Sequence, residues 1–136
     1  MHASADRVWD ALLTILTDFN YPIENMERAS WFLRTQELTL TPSDAAAFAD
    51  CGTINGHQLA GTSRFDVYVR LTFLLRPSGD STAVRLQPVL RGLNEVMASL
   101  RASGNMFATD PNVQCVSRGK LESRLLEQLA SRVAAH

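Results

Sequence analysis

The sequence predicts an α+β two-layer sandwich: an antiparallel sheet of about four strands, packed by an N-terminal and a C-terminal helix. Three observations lead there. An amphipathic helical stripe opens the 136-residue chain, a second closes it, and between them "RFDVYVRLTFLLR" alternates apolar and polar residues. Such alternation marks a strand with one buried and one wet face, and each amphipathic helix needs an apolar surface to cover. At this length one domain, residues 1–136, accommodates all of it.

Residues 4–19, "SADRVWDALLTILTDF", read as the first helix, with Ser4 as its N-cap. Val8, Trp9, Leu12, Leu13, Leu16 and Phe19 recur at helical spacing and form its apolar stripe. Tyr21 precedes Pro22, which pushes it out of the α region and stops the helix. "PIENMERA" allows one strand, with a turn near Ala29-Ser30, and "WFLRTQELTL" is a better one over 31–40. Trp9 and Trp31 read as core or core-edge anchors.

"TPSDAAAFADCGTINGHQLAGTS" is a long loop with one helical turn at 43–49 and Cys51 in its middle. A loop of this length inside a compact domain is usually functional or tied down by something. In the strand that follows, Phe65, Val67, Val69, Leu71, Phe73 and Leu75 face the core, while Asp66, Tyr68, Arg70, Thr72 and Arg76 face water. "PSGDS" is a turn and "TAVRLQPVL" the returning strand, where Pro88 fits only near an end or on an edge. "GLNEVMASLRASGN" has helical spacing and a capping Gly104, so a short helix is expected, followed by "MFATDPN" as loop. The last helix spans about 119–134, with Leu121, Leu125, Leu126, Leu129 and Val133 as its buried stripe.

The composition is that of a soluble globular protein, 46% hydrophobic and 20% charged, and a net charge of -1 argues against a protein that coats nucleic acid. The basic residues are nearly all arginine; Lys120 is the only lysine, as codon bias in a GC-rich genome would give. No run approaches the ~20 apolar residues of a membrane span. "MHASADRVWD" lacks the basic and apolar regions of a signal peptide. The chain is therefore read as cytosolic or as a trimmed mature domain, and a helix starting almost at Met1 favours trimming. A zinc site needs four clustered ligands, and Cys51, Cys115, His2, His57 and His136 show no such spacing. Asp44, Asp50, Asp66 and Asp80 are scattered, with no pair placed for acid–base work. "CGTINGHQLAG" leads into a strand rather than opening a helix, the wrong context for a phosphate loop. Neither a metal nor a cofactor is expected.

The cysteines admit three readings. Cys115 would be a nucleophile if His57 served as its base and Arg118 with the helix N-terminus favoured the thiolate, but no orienting carboxylate or oxyanion hole is evident. The pair could also be buried and unbonded. A Cys51–Cys115 bridge answers best to a long loop with few large apolar residues of its own, and it implies an oxidising compartment. For an Arg- and Ala-rich, prokaryotic-looking chain that means the periplasm or outer surface.

"ADRVWDALLTILTDFNYPIENMERASWFLRTQ" has the shape V-W-x-x-L, a second apolar turn, a turn, an apolar–polar strand and a short second strand ending in Thr. In this it resembles the helix-grip-like domains of BamC and related bacterial outer-membrane lipoproteins, over the first third of the chain. The resemblance implies strands packed by a long C-terminal helix, a periplasmic, membrane-tethered setting, and no catalysis. The Cys51 loop and "CVSRGKLE" match no motif of those proteins.

On the wet sheet face, Arg34, Tyr68, Arg70 and Arg85 form the candidate binding surface, a basic, partly aromatic patch able to hold a carboxylate or phosphate; the alternative is a plain solvated face. The expected function is that of a non-enzymatic envelope domain whose partner is another envelope protein, with membrane contact only through an anchor outside this chain. The competing expectation is a small-molecule binder with an apolar pocket between sheet and C-terminal helix.

Overall fold

The computed structural model describes residues 1–135; His136 lies outside them. The fold class is the expected one, α+β with a mostly antiparallel sheet and a helix near each end, but the main sheet has seven strands rather than about four. The described residues form two compact units, one from Met1–Glu37, Arg70–Pro88 and the chain from Leu121 on, the other from Leu38–Val69 and Val89–Lys120. The long strands β7 (Phe65–Ser78) and β8 (Ser81–Asn94) contribute residues to both.

In the first unit, α1 (Ala5–Asp18) starts as read, the Ser4 hydroxyl accepting from the Arg7 N–H. It ends in a Schellman turn: Asn20 takes a φ of 59°, its N–H donates to the Thr17 carbonyl, and the Tyr21 N–H donates to the Leu16 carbonyl. That closure turns Phe19 out to solvent at 42% exposure, and the stripe is completed by Ile15 instead. Leu13 is only half-buried. Strand β1 (Ile23–Glu27) pairs antiparallel with β2 (Phe32–Thr35), the two joined by a 3₁₀ turn over Arg28–Ser30. Helix α4 (Lys120–Ala134) buries Leu121, Leu125, Leu129 and Val133, with Leu126 half-buried. These side chains, with Trp9, Leu12, Leu16, Leu33, Leu71, Phe73 and Leu75, make this unit's core. Trp9 is 1% exposed and meets Trp31 edge-on, ring centres 5.8 Å apart.

The strand expected over 31–40 divides in two. β2 pairs with β7 through Phe32↔Leu74, Leu33↔Phe73 and Arg34↔Thr72, and the break begins at Thr35. Thr35 is fully buried, and its hydroxyl accepts from the Leu71 N–H at 2.9 Å, a side chain doing the work of a ladder carbonyl. Thr35→Val keeps the shape but strands that N–H, so it is expected to destabilise by about 1–3 kcal/mol while Thr35→Ser costs less, as read from urea melts.

The second unit begins with β3 (Leu38–Thr39), which pairs with β7 through Leu38↔Val69 and Thr39↔Tyr68. The long loop is more ordered than expected. Its helical turn is α2 (Pro42–Phe48), capped by the Thr41 hydroxyl, and β4 (Ala49–Asp50) follows. β5 (Thr53–Ile54) and β6 (His57–Gln58) then form a hairpin around Asn55-Gly56, both at positive φ, as a two-residue turn matched to strand twist requires. Gly61, at φ +89°, passes so close to α2 that a Cβ there would lie 2.9 Å from the Pro42 carbonyl oxygen.

The other added strand is β9 (Asn112–Ser117), which contains Cys115; the segment read as loop and helix approach is sheet. It pairs with β8 from Leu90↔Cys115 to Leu93↔Asn112, and with β4 through Ala49↔Ser117 and Asp50↔Val116. Pro88 stands two residues before the first of the β8–β9 pairs, outside that ladder, where its missing N–H breaks no β8–β9 pair. The short helix α3 (Glu95–Ala102) starts later than its periodicity suggested because "GLN" completes β8. Its end is as read: Gly104, at φ +83°, donates to the Arg101 carbonyl and Asn105 to that of Leu100.

Candidate functional site

In the first unit the candidate arginines do not share one state. A register shift between Ile23, paired with Thr35, and Asn25, paired with Arg34, leaves Glu24 as the extra residue on β1. A bulge of this kind re-aims a side chain, and here the Glu24 carboxylate bridges two guanidiniums. One oxygen accepts from Arg34 Nη2 at 3.2 Å and the other from Arg70 Nη2 at 2.9 Å. All three side chains are about one-third exposed, so each pair is a surface ion pair worth ~0–1 kcal/mol. The Nε atoms of both arginines are buried without a hydrogen-bond partner among the described residues. Arg34 and Arg70 are thus already engaged by an internal carboxylate.

Arg85 is not. It is exposed, and with Phe32, Thr72, Leu74 and Gln87 it lines a depression of about 200 Å³. A second depression of about 160 Å³ shares Leu74 and Arg85 and adds Arg76, Ala83 and Val84. Neither Arg76 nor Arg85 has a carboxylate within ion-pair distance among the described residues. The floor is apolar because Phe32 and Leu74, half-buried, stand opposite each other across the β2–β7 ladder. Arg76 belongs to this site although only its wet-face position, and no special pattern, marks it in the sequence.

In the second unit Tyr68 lies beneath the Arg91 guanidinium, 4.4 Å from carbon to ring centre, a cation–π contact. Arg91, paired in register with Gln114, also lines a depression of about 330 Å³ with Val89, Asn112 and Val113. One register step beyond Leu90↔Cys115 stand Val89 and Val116, 54% and 68% exposed.

Cys51 and Cys115 are joined as a disulfide, and no cysteine is free among the described residues. The two occupy the next register step after Asp50↔Val116, with Cα atoms 4.3 Å apart, close to the separation of a directly opposed, non-hydrogen-bonded antiparallel pair. Cys115 therefore offers no thiol in this state, and His57 sits on the exposed β5–β6 hairpin. The bridge has helpers that were not expected. Arg118 donates from Nε to the Ala49 carbonyl at 3.0 Å and from Nη2 to Gln58 Oε1 at 2.6 Å. Gln58 Nε2 in turn donates to the Ala46 and Ala60 carbonyls.

A carboxyl pair also appears that the scattered aspartates did not announce. Asp66 on β7 and Glu95 at the start of α3 are close enough to interact, the Glu95 N–H donating to the Arg64 carbonyl at 3.0 Å and holding that helix end beside the strand. The hydrogen bond to Asp66, and then the repulsion between the two charges, raises the Glu95 pKa above its ordinary value. The folded chain thus binds this proton more tightly than the unfolded one. Its stabilising effect is complete below the ordinary glutamate pKa and is lost as pH rises through the raised folded value. The excess in melting temperature of the native chain over Glu95→Gln is expected to be largest at acid pH and to shrink as pH rises toward neutral. Among the described residues no group of three or more His, Cys, Asp or Glu is placed to hold a metal ion, and no helix is long and apolar enough to cross a membrane. Compared with protein-family models and with curated proteins, the chain matches none.

Proposed function

We propose that this chain is a non-catalytic binding domain of the bacterial cell envelope, acting through protein–protein contacts made by its open sheet surfaces. The observation that carries the reading is the Cys51–Cys115 disulfide, which takes up both cysteines of the chain. Bridges of this kind form and persist in oxidising compartments and are rare where glutathione and thioredoxin keep thiols reduced. The resemblance of the first third of the chain to BamC-type lipoproteins supports the same setting. The Tyr68–Arg91 stack and the arginine-lined depressions support binding, since Tyr and Arg side chains are enriched among interface anchors.

The test is cysteine trapping in the cells that make the protein. Cells are acid-quenched, the protein is denatured, and free thiols are alkylated before intact mass is measured. An envelope domain is expected to be recovered unalkylated, gaining two alkyl groups only after reduction. Recovery of the doubly alkylated form without reduction removes the compartment assignment.

A further inference from the structure

We propose that the depressions around Arg76 and Arg85 form a docking groove for an acidic, extended segment of a partner protein, one whose groove-facing positions, every second residue, carry carboxylate and apolar side chains in turn. The proposal rests on the reading of this chain as a protein-binding domain and adds the chemistry of the partner.

Three features of the first unit converge on that occupant. The groove is short of negative charge: Arg76 and Arg85 both line the same depression, and neither has a carboxylate partner among the described residues. Guanidinium groups so placed recognise planar oxyanions by paired hydrogen bonds. Beside them, Phe32 and Leu74 give an apolar floor, with Thr72 and Gln87 as neutral hydrogen-bonding groups. The two depressions, about 160 and 200 Å³, are each smaller than the ~300 Å³ at which pockets begin to enclose a drug-sized ligand. They suit single side chains.

The same unit already shows the recognition in miniature. Glu24, on a neighbouring extended strand, lays its carboxylate between Arg34 and Arg70 at 3.2 and 2.9 Å. A partner segment bringing glutamates to Arg76 and Arg85 repeats that contact. Successive side chains of an extended segment point to opposite faces, so an apolar residue two positions from a glutamate faces the groove with it and reaches the Phe32–Leu74 floor. An inorganic anion has no use for that floor.

The test uses the purified, oxidised full chain and a fluorescein-labelled peptide repeating Glu-Ser-Leu-Ser, which sets Glu and Leu on one face, with a Gln-Ser-Leu-Ser repeat as its neutral control. The acidic peptide is expected to bind, to weaken with added salt, and to outbind the neutral one. The double substitution Arg76→Glu and Arg85→Glu, at exposed positions, is expected to weaken binding about tenfold or more, and the Arg→Gln pair to do so less. Glu24→Gln, which releases two further guanidiniums, is expected to strengthen it. Equal binding of the neutral peptide, or binding unmoved by the arginine substitutions in a variant with native circular dichroism, overturns the proposal. So does failure of the acidic peptide to bind, whether or not the chain is retained on phosphatidylglycerol vesicles or binds inorganic phosphate. Because the assay is done on isolated protein, its failure leaves the result of cysteine trapping intact.

Discussion

Replacing Cys51 and Cys115 together with alanine is expected to lower the unfolding free energy by about 3–4 kcal/mol. The bridge closes a sequence separation of 64 residues, and in the chain-entropy model the loss of that constraint on the unfolded chain is worth roughly 4 kcal/mol. A domain typically holds only ~5–15 kcal/mol in all, so the variant keeps a much narrower margin. The loss has a local side as well. β4 has just two ladder pairs with β9, and the disulfide occupies the next register step. Without it, the hold on this part of the loop falls to Arg118, Gln58 and the buried Phe48 and Ala49. Urea melts of oxidised, reduced and doubly substituted protein measure the global term. Hydrogen exchange over residues 49–61 measures the local one and is expected to rise first. A reduced protein with the same midpoint as the oxidised one refutes the expectation.

Trp9→Ala is expected to cost about 3–5 kcal/mol, the range for deleting a large aromatic side chain from a core. Trp9 is 1% exposed on the buried stripe of α1, and its ring meets Trp31 edge-on at 5.8 Å. The substitution therefore opens a cavity and also removes an aromatic pair worth ~0.5–1.5 kcal/mol beyond its buried area. Trp9→Phe keeps part of the packing and is expected to lose less than half as much. Phe107→Ala supplies the contrast. That ring is 87% exposed, and its truncation is expected to stay within about 0.5 kcal/mol of the native chain. Denaturant melts of the three variants side by side decide it; a Trp9→Ala loss no larger than that of Phe107→Ala contradicts the core assignment.

Much of this was open to reading from residues alone, and the reasons differ by element. β7 was legible because six apolar residues at period two leave one possible buried face, and all six prove at most 6% exposed. Helix α1 was legible because its apolar stripe coincides with an N-cap at Ser4, and α4 because its leucine stripe keeps helical spacing over about four turns. β9 was missed although "NVQCVS" alternates. Six residues beside a leucine-spaced helix carry little periodic signal, and this strand exists by pairing with β8 and β4. The division of 31–40 was missed because it depends on the Thr35 hydroxyl meeting the Leu71 amide. Phe19 was placed in the stripe by spacing, but the turn at Asn20 ended the helix before that spacing applied.

The candidate surface divides in the same way. That Arg34, Tyr68, Arg70 and Arg85 lie on strands followed from alternation. Their states did not. Arg34 and Arg70 are taken up by Glu24 through a bulge no local pattern announces, Tyr68 by Arg91 from a strand more than twenty positions away, and Arg85 is left open beside Arg76.

By itself, then, the sequence determined the fold class, the two packing helices and the buried face of β7, and left a cysteine bridge as the best of three readings. The first three follow from short-range periodicity; the bridge is decided by the register that sets Cys51 opposite Cys115. Only the tertiary structure decided how many strands the sheet contains and which arginines are already paired. Hydrogen-bond ladders and ion pairs are contacts between distant segments, and their geometry is set by register, which one strand's own residues do not encode.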